Sequence, residues 1–246
     1  MAKTFDTHPL EVIQRMKALN VTEVGVWFSC GKDALATLDL CFANFSRVVP
    51  AFMYFIPGLS FQEQALTYCE RRYSCKIDRI PSSGLTDALR DGFMRSDRTD
   101  DIKRLKHRDY DAWFRAKHNI EWIASGEKCI DSVERNAMIK VAKGIDTKRK
   151  RFWPVGYWSH RAIYSYLTSR AIPLPPDYRF KLEGQQSRSF SFTWPAEQVW
   201  LRDNFPDDYK KLCKLFPQVP AYCMQYEASQ ARKKKEAETL SNAPHK

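Results

Sequence analysis

Short apolar runs alternate with amphipathic segments along the first two thirds of the chain. Segments of strand length, apolar or alternating and bounded by polar turns, are Val24 to Phe28, Val48 to Phe55, Lys76 to Ile80 and Ile120 to Ala124. Segments with apolar residues at helical spacing are 8–19, 35–45, 61–73 and 131–143. Strands and helices in this rhythm imply right-handed parallel crossovers, so the pattern predicts an α/β fold.

The first predicted strand ends in a loop of small residues, Ser29, Cys30 and Gly31, which opens directly into a helix. A helix start presents backbone N–H groups and the positive end of the helix dipole. Lys32 adds a positive charge at the same place. We therefore expect this loop to bind a phosphate or a pyrophosphate.

Two familiar phosphate-binding loops do not match this segment. A Walker loop needs four residues between its glycines and a hydroxyl residue after its lysine, whereas Gly25 and Gly31 lie too far apart and Asp33 follows Lys32. The glycine-x-glycine fingerprint of dinucleotide-binding proteins is also absent. The loop must be of another type.

A second glycine turn, Ser125 to Lys128, follows the fourth predicted strand and precedes another helix. Basic side chains lie close to this turn, as they do at the first one. In a doubly wound sheet, ligands bind at the carboxyl ends of the strands where the strand order reverses. The two loops are therefore predicted to be neighbours at one cleft.

Three ordered segments resemble one known family. SCGKDA, residues 29–34, resembles the PP-loop (S-x-G-K-D-[ST]) of the adenine nucleotide alpha-hydrolase-like superfamily, in particular its phosphoadenosine phosphosulfate (PAPS) reductase-like branch. GEKCIDSVER, residues 126–135, resembles the family's G-x-R-x-x-[QD]-S-x-x-R segment, and residues 152–178 resemble its proline-led strand, tryptophan-bearing helix start and proline-rich exit. The resemblance covers about residues 8–180 and implies a Rossmann-like doubly wound, mainly parallel five-stranded sheet with a PP-loop.

The resemblance also implies a ligand and the residues that hold it. The ligand is an adenine nucleotide, ATP or PAPS, with Mg2+ as a compatible partner. The expected binding residues lie in the two loops and in the turn after the second strand: Ser29, Cys30, Gly31, Lys32, Asp33, Gly58, Gly126, Lys128 and Arg135. Lys32 would offset charge on the pyrophosphate, and Asp33 would hold the loop or a magnesium-linked water, so these two are the candidate catalytic residues.

The sequence departs from the family pattern at three places. Ala34 replaces the hydroxyl residue that closes the loop, and Ile56-Pro57-Gly58 stands where the family often has Asp-Thr-Gly. Lys128 stands where the family usually has arginine, which keeps the charge but loses the bidentate fork. These departures leave open a nucleotide-binding protein without chemistry.

A reductase reaction would require a nucleophilic thiolate near the C-terminus. The family's Glu-Cys-Gly-Leu-His segment is absent, and Cys223 and Cys213 are the C-terminal thiols. Cys223 is therefore the candidate nucleophile of that alternative, although a buried structural cysteine is the simpler interpretation. Neither the paired cysteines of an iron–sulfur cluster nor the spacing of a zinc site is found, so no cluster and no resident protein-bound metal are expected.

Composition narrows the class of protein further. The 246 residues carry 40 Lys plus Arg against 29 Asp plus Glu, a net charge of +11, with basic runs at Lys148 to Arg151 and Arg232 to Lys235. This excess favours polyanionic partners, nucleotides or nucleic acid, without choosing between them. The seven scattered cysteines predict reduced thiols and a cytoplasmic location. No apolar segment is long enough to cross a membrane, so no membrane partner is expected. The sequence leaves open whether the protein forms an oligomer.

The sequence thus predicts a PP-loop domain over residues 1–205 and a helical C-terminal extension over 206–246 with a basic tail, its last eleven residues disordered. Residues 179–194 are expected to form an exposed loop. Three functions compete. The first is an ATP-cleaving or sulfur-transferring PP-loop enzyme, with nucleic-acid modification as one of its possible roles. The second is a PAPS reductase using Cys223. The third is a non-catalytic module that binds a nucleotide or nucleic acid.

Overall fold

The structure is a computed structural model that describes residues 10–175 and 192–241. A six-stranded sheet in the order β3-β2-β1-β4-β6-β5 forms its centre. The strands are β1 (Glu23–Phe28), β2 (Arg47–Tyr54), β3 (Asp78–Pro81), β4 (Trp122–Ser125), β5 (Ile145–Asp146) and β6 (Arg151–Phe152). Every pairing is parallel except that of β5 with β6. The predicted α/β, mainly parallel architecture is confirmed.

The described helices pack on both sides of this sheet and beyond its carboxyl edge. They are α1 (Glu11–Ala18), α2 (Lys32–Asn44), α3 (Ser60–Tyr73), α4 (Ser83–Asp91), α5 (His107–His118), α6 (Val133–Val141), α7 (His160–Ser169), α8 (Pro195–Asn204), α9 (Pro206–Leu215) and α10 (Val219–Ser241). No helix in the described ranges combines the length and apolarity that a membrane span requires. All seven cysteines are free, as predicted.

The alternation of side chains along β1 decides what each face of the sheet contacts. Val24, Val26 and Phe28 belong to the main core, which they share with α2 and α7. Gly25 and Trp27 face the other way, toward Phe114 of α5. A side chain at position 25 would overlap the Phe114 ring, so glycine lets α5 approach the sheet closely.

A buried carboxylate ties α2 to two neighbouring helices. Asp39 is 1% exposed and accepts hydrogen bonds from Tyr73 Oη (2.8 Å), Tyr166 Oη (2.6 Å) and Arg170 Nε (2.8 Å). Burial raises the pKa of Asp39, but these three donors outweigh burial and hold the pKa below its ordinary value. The network fixes the helix that follows the loop after β1.

The sheet has six strands rather than the predicted five. Residues 145–146 pair antiparallel with β6 across a turn formed by residues 147–150, which contains most of the first basic run. A two-residue strand has no periodicity to detect, so β5 could not be read from the apolar pattern. The first basic run, Lys148 to Arg151, forms a hairpin turn and ends in a strand residue, Arg151.

The C-terminal helices form a second apolar cluster with the turn after β2. Leu212, Phe216 and Cys223 pack with Ile56 and Phe61. The 1% exposed carboxylate of Asp208 on α9 accepts hydrogen bonds from the backbone N–H and the hydroxyl of Ser60, both at 2.7 Å, at the start of α3. The boundary after residue 205 stays a prediction.

The last helix extends further than the sequence suggested. α10 continues through Ser241, so the expectation of disorder was wrong for residues 236–241. Alanine, glutamate and lysine dominate the end of this helix, and these residues favour a helix even without packing. Most of the expected loop at 179–194 lies outside the described residues.

Candidate active site at the carboxyl edge of the sheet

The loop after β1 has the geometry of an anion-binding turn. Cys30 adopts a left-handed backbone with φ of 59°, and Gly31 is the extended N-cap of α2 without a side-chain cap. The first turn of any helix has N–H groups that lack an acceptor within the helix. A helix start of this kind is a common place for anions to bind, so the loop is a candidate anion site.

The second loop touches the first, which confirms the predicted neighbourhood. A Cβ at Gly126 would lie 2.9 Å from both the backbone nitrogen of Ala34 and the carbonyl carbon of Asp33. This contact needs glycine, because backbone atoms cannot move aside as a flexible side chain can. β1 pairs with β2 on one side and with β4 on the other, so the two loops meet where the strand order reverses.

A cavity of about 320 Å³ opens at this point. Its walls come from both loops, from β2 and β6, and from the start of α5: Trp27, Ser29, Gly31, Asp33, Ala34, Met53, His107, Ser125, Gly126, Glu127, Asp131, Arg135 and Arg151. The volume lies at the lower end of the range for small-molecule sites. Five of the predicted residues therefore share one cavity: Ser29, Gly31, Asp33, Gly126 and Arg135.

Two lysines and two aspartates form a cluster at the cavity wall, in which the aspartates line the cavity and the lysines lie behind them. Asp33 Oδ2 accepts from Lys32 Nζ at 2.8 Å and from Lys128 Nζ at 2.7 Å. Lys128 Nζ also pairs with Asp131 Oδ1 at 3.0 Å, and the Lys128 side chain is 0% exposed. Lys128 was expected to face the anionic substrate. The structure instead places it between the two loops as a buried cross-link.

The electrostatics of this cluster favour the charged form of Asp131. Burial raises the pKa of Asp131, but hydrogen bonds from the backbone and side chain of Lys128 hold it below its ordinary value. His160, at the start of α7, has a lowered pKa because of burial and then the charges of Lys32 and Lys128. The charges of both lysines therefore lower the pKa of the imidazole.

A third carboxylate in the cavity wall was missed by sequence reasoning. Glu127 Oε2 accepts hydrogen bonds from Trp153 Nε1 at 2.8 Å and from Ser125 Oγ at 3.1 Å. Arg135 lies near it, with Nε 3.8 Å from Glu127 Oε1, and is 46% exposed on its side chain. Glu127 stood inside the GEKC segment, but nothing in the sequence placed Trp153 beside it.

Five predicted residues do not line the cavity: Cys30, Lys32, Gly58, Lys128 and Cys223. Gly58 lies in the turn after β2 with φ of +67° and open space around its Cα, and its carbonyl accepts from Lys211. Cys223 is 1% exposed within the C-terminal cluster, where Tyr209 Oη lies 3.7 Å from its sulfur. Burial raises the pKa of Cys223, the opposite of what a nucleophilic thiol needs. Cys30 is buried behind the loop.

The donor set fits a magnesium ion only if a nucleotide supplies most of the ligands. The described residues contain no group of three or more histidine, cysteine or acidic side chains placed to hold a metal. However, Asp33 Oδ1 is buried beside the cavity and has no hydrogen-bond partner in the described part of the chain. Mg2+ typically uses one or two carboxylates together with substrate phosphates, and Asp33 Oδ1 suits that arrangement.

Comparisons with known proteins give structural likeness only. No family model and no curated protein sequence matches the chain. The U34-tRNA thiolase NcsA from Methanococcus maripaludis, solved with its 4Fe-4S cluster, is similar at 13% identity and a TM-score of 0.47, over 88% of this chain and 78% of that one. The NH3-dependent NAD synthetase from Campylobacter jejuni, solved with a nitrate ion, is similar at 12% identity and a TM-score of 0.44, over 87% and 89%. At these values neither likeness carries chemistry over, so function must be inferred from the chain's own side chains.

Proposed function

We propose that this chain is a PP-loop enzyme that binds ATP at the cavity between β1 and β4 and cleaves it between the α and β phosphates. One observation carries the proposal: the uncapped start of α2, Ser29 and the second loop converge on one cavity at the point where the strand order reverses. In the proposed reaction a deprotonated acceptor attacks the α phosphorus. The acceptor–AMP bond forms, the bond to the bridging oxygen breaks, and pyrophosphate leaves with the electron pair.

Different parts of the cavity wall bind different parts of the nucleotide. The pyrophosphate lies against the N–H groups of the first turn of α2, where the helix dipole and Lys32 offset its charge. Asp33 Oδ1 would hold a magnesium ion, which would supply positive charge to the phosphates. Trp27 and Met53, the apolar part of the wall, cover the adenine ring. Lys128 acts on the nucleotide only through Asp33 and Asp131.

The PAPS reductase alternative is the weaker one. It needs a thiolate that can reach the sulfonate, and Cys223 is a buried core residue of the C-terminal cluster. The non-catalytic alternative is favoured by one feature, Ala34, which lacks the hydroxyl that closes the family's loop and lines the cavity with a methyl group. The net charge of +11 is consistent with a polyanionic acceptor such as a nucleic acid, but it does not select one.

The test is to incubate the purified protein with Mg2+ and either labelled ATP or PAPS, with water as the acceptor. Pyrophosphate release from ATP supports the proposal. Sulfite release from PAPS, abolished in Cys223→Ser, would establish the reductase instead. Retention of nucleotide without turnover would leave a binding module, and a protein that binds neither nucleotide would refute the site itself.

A matched pair of lysine variants separates specific from general charge effects. Lys32→Gln removes the cation beside the loop, and Lys210→Gln removes one from an exposed position, where the side chain is 76% exposed. We expect ATP affinity to fall about tenfold or more in the first variant, because a hydrogen bond to a charged group contributes roughly 1.5–3 kcal/mol. The second variant should bind as the wild type does. Equal effects would show that the protein attracts ATP through net charge alone.

A further inference from the structure

The cavity continues onto the face of the sheet that α5 covers. Trp27, Met53 and Arg151 come from three different strands, and all three line this part of the cavity. The inward side of α5 changes character along its length, with Phe114 buried against the sheet and Asp111 one turn nearer the cavity. His107, at the start of α5, completes the wall.

Arg151 is held in this wall by a buried carboxylate. Asp111, 7% exposed, accepts a hydrogen bond from Trp27 Nε1 at 2.8 Å through Oδ1. Its other oxygen, Oδ2, lies 3.2 Å from Arg151 Nε. That Nε has no aligned hydrogen bond within the described residues, so the pairing is electrostatic rather than a directed hydrogen bond. Asp111 thus holds Trp27 by a hydrogen bond and Arg151 by the attraction of opposite charges.

We propose that Arg151, with His107 in the wall of the same cavity, forms a second anion subsite that binds a tetrahedral oxyanion, a phosphate or sulfate group of a reactant. The Arg151 side chain is 16% exposed and lines the cavity, and a guanidinium fork matches two oxygens of such a group. The subsite lies on the α5 face, whereas the loop at Gly31 opens into α2 on the opposite face. This inference rests on the proposed function for the identity of the reactants.

The oxyanion can have two sources. It is either the 3′-phosphate of the nucleotide, as in PAPS, or an anionic group of the acceptor. The two sources predict different responses to nucleotides, so one set of variants distinguishes them. A double variant, Arg151→Met with Asp111→Asn, removes both charges together. It therefore leaves no buried carboxylate without its partner. Arg151→Lys keeps the charge and loses the fork.

Sulfate binding can be followed at Trp27 by 19F NMR of protein labelled with 5-fluorotryptophan, with Trp27→Phe to assign the resonance and chloride to hold ionic strength constant. In the wild type we expect a saturable shift with sulfate. In the double variant the dissociation constant for sulfate should rise about tenfold to a hundredfold, the range expected for losing a charged hydrogen-bond donor pair. Arg151→Lys should lie between the two.

Calorimetry with AMP and with adenosine 3′,5′-bisphosphate then assigns the source. If the 3′-phosphate occupies the subsite, the double variant weakens the bisphosphate at least tenfold and leaves AMP unchanged. If the acceptor's anion occupies it, both nucleotides bind as before while sulfate binding to the AMP-loaded protein weakens. The subsite would be overturned if the double variant bound sulfate, AMP and the bisphosphate with affinities within about twofold of those of the wild type. Failure of the wild type to bind AMP or ATP would instead overturn the proposed function, and the sulfate titration would still stand.

Discussion

Replacing Lys128 with methionine tests how the two loops are held together. The substitution keeps the length of the side chain and removes its charge from a position that is 0% exposed. Asp33 keeps Lys32 at 2.8 Å, and Asp131 keeps Arg135 at 3.6 Å, but both lose their shared partner. Removing one member of a buried ion pair typically lowers stability by about 3–5 kcal/mol. Since each carboxylate retains a partner, we expect a loss of about 3 kcal/mol, the lower end of that range.

Urea denaturation measures this loss, and Arg135→Met provides the control. Arg135 pairs with the same Asp131 from a side chain that is 46% exposed, and exposed ion pairs contribute about 0–1 kcal/mol. Nucleotide affinity should fall in Lys128→Met, because the start of α2 loses its tie to the second loop. If Lys128 instead contacted the nucleotide directly, as its position in the sequence suggested, affinity would fall while stability stayed within about 1 kcal/mol of wild type. That result would refute the cross-link.

Three further changes probe the same framework. Gly126→Ala should lower stability by about 1–3 kcal/mol and weaken nucleotide binding, because the new methyl group meets backbone atoms of α2 at 2.9 Å. Gly84→Ala is its control, since that methyl group meets side-chain atoms only, the nearest in the Phe55 ring at 3.3 Å, and equal losses by urea denaturation would contradict the contact. Asp39→Asn should be destabilising at pH 7. Because the pKa of Asp39 is lowered in the folded state, the carboxylate stabilises the fold above its unfolded pKa of about 3.9. The difference in free energy of unfolding between variant and wild type should therefore shrink as the pH falls below about 4. A difference that does not change with pH would be inconsistent with the pKa shift. Trp153→Phe should cost about 1.5–3 kcal/mol by removing the 2.8 Å hydrogen bond to Glu127, and an unchanged midpoint would show that this bond contributes nothing.

The apolar pattern was enough to predict the architecture around the site. Val24 to Phe28 and Ile120 to Ala124 have the length and composition of buried strands, and the glycines after them marked both loops. Parallel strands then require the loops to lie at the same edge, and the approach of Gly126 to α2 confirms it. Periodicity and turn chemistry are local properties, so a single sequence carries them.

The roles of individual charges could not be predicted in the same way. Lys128 matched a ligand-binding position by type and spacing, but its burial depends on Asp33, which is distant in sequence and meets it only in the folded state. Asp111 of α5 and Arg151 of β6 likewise meet only because α5 packs on that face of the sheet. Pairings between distant residues follow from packing, and neither charge nor spacing along the chain specifies them.

The most direct measurement is a crystal structure of the protein with Mg2+ and an ATP analogue that resists cleavage between the α and β phosphates. We predict the β and γ phosphates within hydrogen-bond distance of the backbone N–H groups that follow Gly31, with Mg2+ on Asp33 Oδ1. Phosphates bound elsewhere on the protein, with the start of α2 left without an anion, would contradict the account.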